Sequence, residues 1–168
     1  MPNVLVAYAS KNGSTAGIAS AVTDALVAAG VHATCLEASS VDSLEPYDAV
    51  ILGSAVYSRR WRPEARRFLR HHAAALKQRP FWVFSSGPVG DPAKDNPAWE
   101  EPPRTIAKAI ELGARGHVVF GGAVAEEPHG MLMRSMAKGV PEAFRDRRDW
   151  DAIRAWTDGV AETLRVPA

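Results

Sequence analysis

At 168 residues, with 46% apolar and 23% charged residues, the chain has the composition of an ordinary globular domain with room for a sizeable core. A formal net charge of +1 says nothing about nucleic acid, and no basic–aromatic interleaving supports such a partner, so none is expected. A single cysteine, Cys35, excludes an internal disulfide, and no run approaches the roughly 20 apolar residues of a transmembrane span. The amino terminus reads as a strand and not as a signal peptide, so the expected location is the cytoplasm.

Short, uninterrupted apolar runs at 4–7, 31–36, 49–52, 81–84 and 118–120 predict strands buried on both faces. Between them lie helical patterns with apolar residues at the 3.6 period. The first covers 16–29, with Ile18, Val22, Ala25, Leu26 and Ala29 on one stripe and Gly30 as its carboxyl cap. The second enters at Pro63 and places Ala65, Phe68, Leu69, His72 and Leu76 on its stripe. The third covers 105–112, and the last uses Ile153, Trp156, Val160 and Leu164. The stretch 41–47 predicts a loop with little room for a helix.

Repeated strand–helix units predict an α/β doubly wound, five-stranded parallel sheet in the order 2-1-3-4-5, with helices on both faces. Residues 1–168 read as a single domain. One region departs from the alternation: 123–149 reads as an insertion before the last helix, with a short helix near 131–138. Met131, Leu132, Met133 and Met136 within it are expected to pack as core.

Ligands of such sheets sit beyond the carboxyl ends of the strands, where the strand order reverses. That brings three loops together. The first, Ser10-Lys11-Asn12-Gly13-Ser14-Thr15, follows the first strand and opens the first helix. Unpaired N–H groups and the dipole of a helix start favour an anion, and the hydroxyls and amide can bind phosphate oxygens. The loop has neither G-x-x-x-x-G-K-[ST] nor G-x-G-x-x-G. A capped turn with no ligand is the plain alternative. The second loop, Gly53-Ser54-Ala55-Val56-Tyr57-Ser58-Arg59-Arg60-Trp61, begins small and ends aromatic. A flat ligand could lie on its backbone, covered by Tyr57 or Trp61, unless both rings simply pack over the second helix. The third, Ser85-Ser86-Gly87-Pro88-Val89-Gly90-Asp91, can offer backbone groups to the edge of a heterocycle. A receiver-type phosphoacceptor domain would need acidic residues where the chain has Ala9-Ser10 and Gly53-Ser54.

Over essentially its whole length the chain resembles a flavodoxin-like FMN-binding domain, and Ser10 to Thr15 resembles that family's S/T-x-T/N-G-x-T phosphate loop. The resemblance implies FMN as cofactor, its phosphate on Ser10, Lys11, Asn12, Gly13, Ser14 and Thr15. It implies an isoalloxazine between Ser54, Ala55, Val56, Tyr57 and Ser86, Gly87, Pro88, Val89, Gly90. Within the family, Gly53-Ser54-Ala55-Val56-Tyr57, Arg66-Arg67-Phe68-Leu69-Arg70-His71-His72, Gly121-Gly122-Ala123 and Asp149-Trp150 look most like flavodoxin-like, quinone-linked protoporphyrinogen oxidase. The insertion also falls where those oxidases have a long loop, although here it is shorter and less basic.

Arg59, Arg60, Arg62, Arg66, Arg67 and Arg70 lie within twelve residues, relieved only by Glu64. Such a cluster attracts an anionic substrate or an acidic protein partner, with Arg59, Arg60 and Trp61 as the contact residues, or is simply a solvated helix face. His71 and His72 read as structural, His129 as exposed, and no Cys/His grouping has metal-ligand spacing. No residue is singled out as catalytic, because flavin would supply the redox chemistry. The expected function is that of an FMN-dependent oxidoreductase acting on a protoporphyrinogen-like or other small organic substrate, with a quinone-type acceptor. The alternative is an electron carrier between redox proteins. Peripheral membrane contact stays open.

Overall fold

In the computed structural model, which describes residues 1–11, 13–89, 92–95, 104–124 and 131–166, five parallel strands form the central sheet. They are β1 (Asn3–Ala9), β2 (His32–Glu37), β3 (Ala49–Tyr57), β5 (Phe81–Ser86) and β6 (His117–Phe120), and a two-residue strand β4 (Arg60–Trp61) pairs antiparallel with β3. The spatial order is β2-β1-β3-β5-β6, so the parallel strands follow the expected 2-1-3-4-5. The helices are α1 (Ser14–Ala28), α2 (Pro63–His71), α3 (Ala73–Leu76), α4 (Arg104–Glu111), α5 (Met131–Lys138) and α6 (Trp150–Arg165).

Strand alternation builds two cores. Leu5, Ala7, Val50, Leu52, Phe81 and Val83 face α2, α3 and α4, while Val4, Val6, Ala49, Ile51, Trp82 and Phe84 face α1 and α6. Each fully buried Val, Leu or Ile contributes roughly 1.5–3 kcal/mol, which is why runs without polar interruption become the central strands. Gly53 marks the tightest contact between neighbours. A Cβ there would stand 2.0 Å from Cζ of Phe84, so only glycine lets β3 and the Phe84 ring share that space.

Two expectations change. β3 continues through Ser54, Ala55, Val56 and Tyr57, where a loop was expected, and a hairpin then returns the chain as β4. Backbone pairing with β1, β5 and β4 outlasts the apolar run, so hydrophobicity alone underestimated the strand. The expected single helix from Pro63 is two, α2 and α3, separated at His72 with φ −101° and ψ 17°. The His72 ring is buried in the core and donates from Nε2 to the Val41 carbonyl at 3.3 Å. The crossover from β2 to β3 has only a 3-10 turn at Ala38–Ser40, as the residues at 41–47 suggested. Gly30 closes α1 at φ 82°, with Val31 N–H reaching back to Leu26 O at 2.9 Å. Among the described residues no helix is long and apolar enough to cross a membrane.

Candidate functional site

β1, β3 and β5 lie side by side, and their carboxyl ends are level: Ala9 pairs with Ser54, Ser54 with Ser85 and Ala55 with Ser86. The three loops therefore share one edge of the sheet, at the reversal of strand order.

The first loop turns into α1 through Gly13, whose φ of 87° is a left-handed conformation suited to glycine. The Ser10 hydroxyl accepts the Gly13 N–H at 3.0 Å, fixing the turn. Gly17 N–H donates to Gly13 O at 3.0 Å, the first helical bond. The N–H groups of Ser14, Thr15 and Ala16 thus precede any helical acceptor and point out of the helix start. Below them, the Thr15 side chain is 1% exposed and its Oγ1 has no hydrogen-bond partner. A buried hydroxyl left unpaired costs about 1–3 kcal/mol, so this atom is placed for an acceptor that the protein itself does not supply. Lys11 is exposed, and Asn12 lies outside the described residues.

At the second loop, the hairpin of β3 and β4 has a two-residue turn, Ser58-Arg59, with φ of 49° and 62°. Both values are those of a primed turn normally made by Asn or Gly, so serine and arginine hold it at a cost. The Tyr57 ring, 38% exposed, has Lys11 Nζ 5.8 Å and Arg62 Cζ 5.9 Å from its centroid. The phosphate-type loop and the aromatic loop are thereby joined by a cation–π contact. Val56 is half-buried and Ala55 buried.

Two residues of this loop are placed differently from the sequence expectation. Trp61 is 1% exposed and its Nε1–H donates to Ser85 Oγ at 2.9 Å. Its ring fills the core beside α2 and is closed to a substrate or partner, because β4 turns it inward. The Ser54 hydroxyl, also buried, donates to Ala55 O at 2.8 Å and accepts Arg62 N–H at 2.9 Å, so it braces the hairpin and is not offered to a ligand. Arg59 and Arg60 are both exposed.

At the third loop, Ser86 is buried, Gly87 and Pro88 are half-buried and Val89 is exposed, while Gly90 and Asp91 lie outside the described residues. Gly87 N–H donates to Phe120 O and Gly122 N–H to Pro88 O, both at 3.0 Å. The chain after β6 thus runs against this loop. A Cβ on Gly122 would stand 3.3 Å from Gly87 Cα. One step on, Ala123 N–H donates to Ser14 Oγ at 2.9 Å, tying the same segment to the start of α1. Arg147 N–H donates to Gly122 O at 2.9 Å, and its guanidinium grips Asp95 through two bonds of 2.8 Å.

Sequence reading placed Ser85 in the third loop but did not single out His117, Asp95 or Arg147. Ser85 Oγ, already accepting from Trp61, lies 2.8 Å from His117 Nε2, and burial pushes the His117 pKa down. The Trp61 indole, the Ser85 hydroxyl and the His117 imidazole thus form one part-buried hydrogen-bonded chain. The Gly121-Gly122 pair after the last strand was the signal for the close backbone approach. Burial likewise pushes the half-buried Cys35 thiol up, as befits a packing residue and not a nucleophile. His129 lies outside the described residues, and Met131, expected in the core, is 88% exposed at the start of α5. Among the described residues there is no group of His, Cys, Asp and Glu suited to a metal. A groove of about 570 Å³ between α1 and α6, lined by Asp24, Ala25, Trp150 and Arg154, includes none of the three loops.

Residues 5–148 match the family described as Flavodoxin domain. The chain belongs to that family. FMN is accordingly its cofactor. The unpaired Thr15 hydroxyl, the open N–H groups above it and the exposed Tyr57 ring fit such a group. No curated protein matches the chain by sequence. Among solved structures, a flavodoxin from the domain Archaea superposes with a TM-score of 0.63 at 17% identity, over 98% of this chain and 99% of that one. Oxidised flavodoxin 2 from Bacillus cereus gives 0.62 at 21% identity, over 96% and 99%. The rubredoxin oxygen:oxidoreductase of Desulfovibrio gigas gives 0.65 at 15% identity, over 97% of this chain but 36% of that larger one. At these identities the superpositions establish the fold.

Proposed function

We propose that this flavodoxin domain is a one-domain FMN carrier that moves electrons between redox proteins. The observation that carries the reading is the buried, unpartnered Thr15 hydroxyl beneath the open first turn of α1, at the level edge shared by three loops. FMN, when bound, supplies one- and two-electron chemistry, so no side chain needs to act as acid, base or nucleophile. The chain's own residues hold and orient it. Ser10, Lys11, Asn12, Gly13, Ser14 and Thr15 would take the phosphate, with Ser10 fixing the turn and Thr15 completing the cradle. Val56 and Tyr57 on one side and Gly87, Pro88, Val89 and Gly90 on the other would line the ring, with Ser54, Ala55 and Ser86 supporting them from below. Lys11 and Arg62, near the Tyr57 ring, keep positive charge beside the site, which favours an electron-rich bound group.

The family match, which covers 5–148, supports the carrier over a dedicated enzyme. Residues 1–168 are read as one unit, with 123–149 an insertion that adds Arg147 and the Ala123 contact to the shared edge. That same segment favours the second reading, oxidation of a protoporphyrinogen-like substrate with a quinone acceptor, since it borders the loops on which a substrate would sit. Flavin addition followed by a visible spectrum tests the cofactor, and absence of a bound-flavin spectrum overturns the main reading. A reductase-coupled cytochrome assay run beside a quinone-dependent protoporphyrinogen assay then separates carrier from oxidase. Turnover in the first alone supports the carrier, and turnover in the second overturns it.

A further inference from the structure

The arginines of the β3–β4 hairpin and α2 stand against the rest of the molecule. Between residues 59 and 70 there are six arginines and one glutamate, while the whole chain carries only +1, so the remainder is net acidic. Glu64 is held by Arg62 at 3.2 Å. Among the described residues, Arg59, Arg60, Arg66, Arg67 and Arg70 have no carboxylate within ion-pair distance, and Arg59, Arg60, Arg67 and Arg70 are exposed. The arrangement is unfavourable for the isolated fold. Arg66 and Arg70 are like charges at i,i+4, and Arg67 and Arg70 at i,i+3, so their mutual repulsion is not relieved within the helix. The hairpin that carries Arg59 and Arg60 holds two non-glycine residues at positive φ, a second cost at the same place. The hairpin adjoins Tyr57, the exposed aromatic of the shared edge, through the Tyr57–Arg60 pair, and Arg62, which leads into α2, lies 5.9 Å from the Tyr57 ring centroid.

From this we infer that Arg59, Arg60, Arg67 and Arg70 form the docking surface for an acidic redox protein, which approaches with its own redox centre toward Tyr57. The inference rests on the carrier reading and names the polarity of its partner. Unpaired guanidinium groups supply the complementarity that the chain's own carboxylates do not. An asymmetric field of this kind orients an acidic partner before contact, so it acts first on the rate of association. The hairpin would place Arg59 and Arg60 at the rim of the contact, and α2 would extend the same charge away from it.

The test uses the charge-reversal pair Arg67→Glu/Arg70→Glu, with Arg67→Gln/Arg70→Gln as the milder variant should the first fail to fold. An acidic [2Fe–2S] ferredoxin is the probe and basic cytochrome c the control. Binding is read by titration calorimetry and electron transfer by stopped flow, at low and high salt. The expected result is ferredoxin binding about tenfold or more weaker in the reversal variant at low salt, a gap that closes at high salt, and the opposite trend with cytochrome c. Equal ferredoxin binding in wild type and variant overturns the inference. So does an anionic porphyrin whose binding falls in the variant while ferredoxin is unaffected, which would make the patch a substrate site. Calorimetric binding is read whatever the flavin content, so a protein that binds ferredoxin without retaining flavin would remove the carrier reading and leave the docking surface standing.

Discussion

Arg147 holds Asp95 through two parallel N–H···O bonds of 2.8 Å, joining the segment before α6 to the 3-10 turn Pro92–Lys94 that follows the third loop. A planar fork makes this geometry and an ammonium cannot. Arg147→Lys should therefore cost about 1 kcal/mol in urea unfolding and speed FMN release by about fivefold. Release at the wild-type rate would show that the third loop is positioned without this pair.

Thr15→Val should split two quantities that usually move together. Removing a buried hydroxyl with no partner relieves an unmet polar group, so the flavin-free protein should gain about 1 kcal/mol. The same change removes a phosphate contact, and FMN affinity measured by fluorescence quenching should fall by about tenfold, equal to 1.4 kcal/mol. An unchanged affinity would place the phosphate elsewhere.

At the hairpin turn, Ser58→Asn with Arg59→Gly should raise stability by roughly 1 kcal/mol, because both new residues accept positive φ at lower cost. Thermal melting should rise by about 2–4 °C. Ferredoxin binding should weaken in the same protein, since Arg59 is lost. A fall in melting temperature would mean that the turn is not strained.

The acid limb of stability should carry two histidines, buried His72 and half-buried His117. Burial is the main cause that lowers the pKa of both His72 and His117. For a base held below its ordinary value of 6.5, the unfolded chain takes the proton first. The stabilisation is therefore complete above about pH 6.5 and declines as pH falls below that value, until the folded-state groups titrate. His117→Gln should flatten this limb in denaturant melts taken between neutral and mildly acidic pH. Asp146 acts in a separate, lower window: hydrogen bonding from Arg148 pulls its pKa below 3.8, so its contribution is lost as pH falls beneath that value. A limb unchanged in the His117 variant would mean that the imidazole is not the group that loses stability.

Gly53→Ala should be among the most damaging single-methyl changes. The new Cβ would fall within 2.4 Å of three Phe84 ring atoms, and overpacking of that kind costs about 3 kcal/mol. Phe84→Leu in the same chain should restore part of the loss, and failure to do so would locate the defect in the backbone of β3.

The parallel sheet and its order were legible because strands buried on both faces, such as 49–52 and 81–84, leave uninterrupted apolar runs. The first loop was legible because Gly13 and its hydroxyl neighbours sit between a strand and a helix. The end of β3 was not. Ser54 looks like a ligand-facing hydroxyl in one dimension, yet the fold spends its donor on Ala55 O and its acceptor on Arg62 N–H. Trp61 reads equally well as a cover for a ring or as core, and only the β4 pairing with Val56 turns it inward. Arg147 and Asp95 are 52 residues apart, and nothing local to either predicts their meeting.

The Ser14 hydroxyl, on the first residue of α1, accepts the N–H of Ala123 and so stands on the border between the cradle and the segment 123–149. Thermodynamic linkage makes that border reciprocal: to whatever degree cofactor loading strengthens the contact, a well-seated segment strengthens loading by the same factor. Substitutions within 123–149 that never touch the cradle should then alter cofactor retention, and saturation with cofactor should slow proteolysis of that distant stretch. The hydroxyl is in effect a thermodynamic junction between two parts of the chain that lie 109 residues apart.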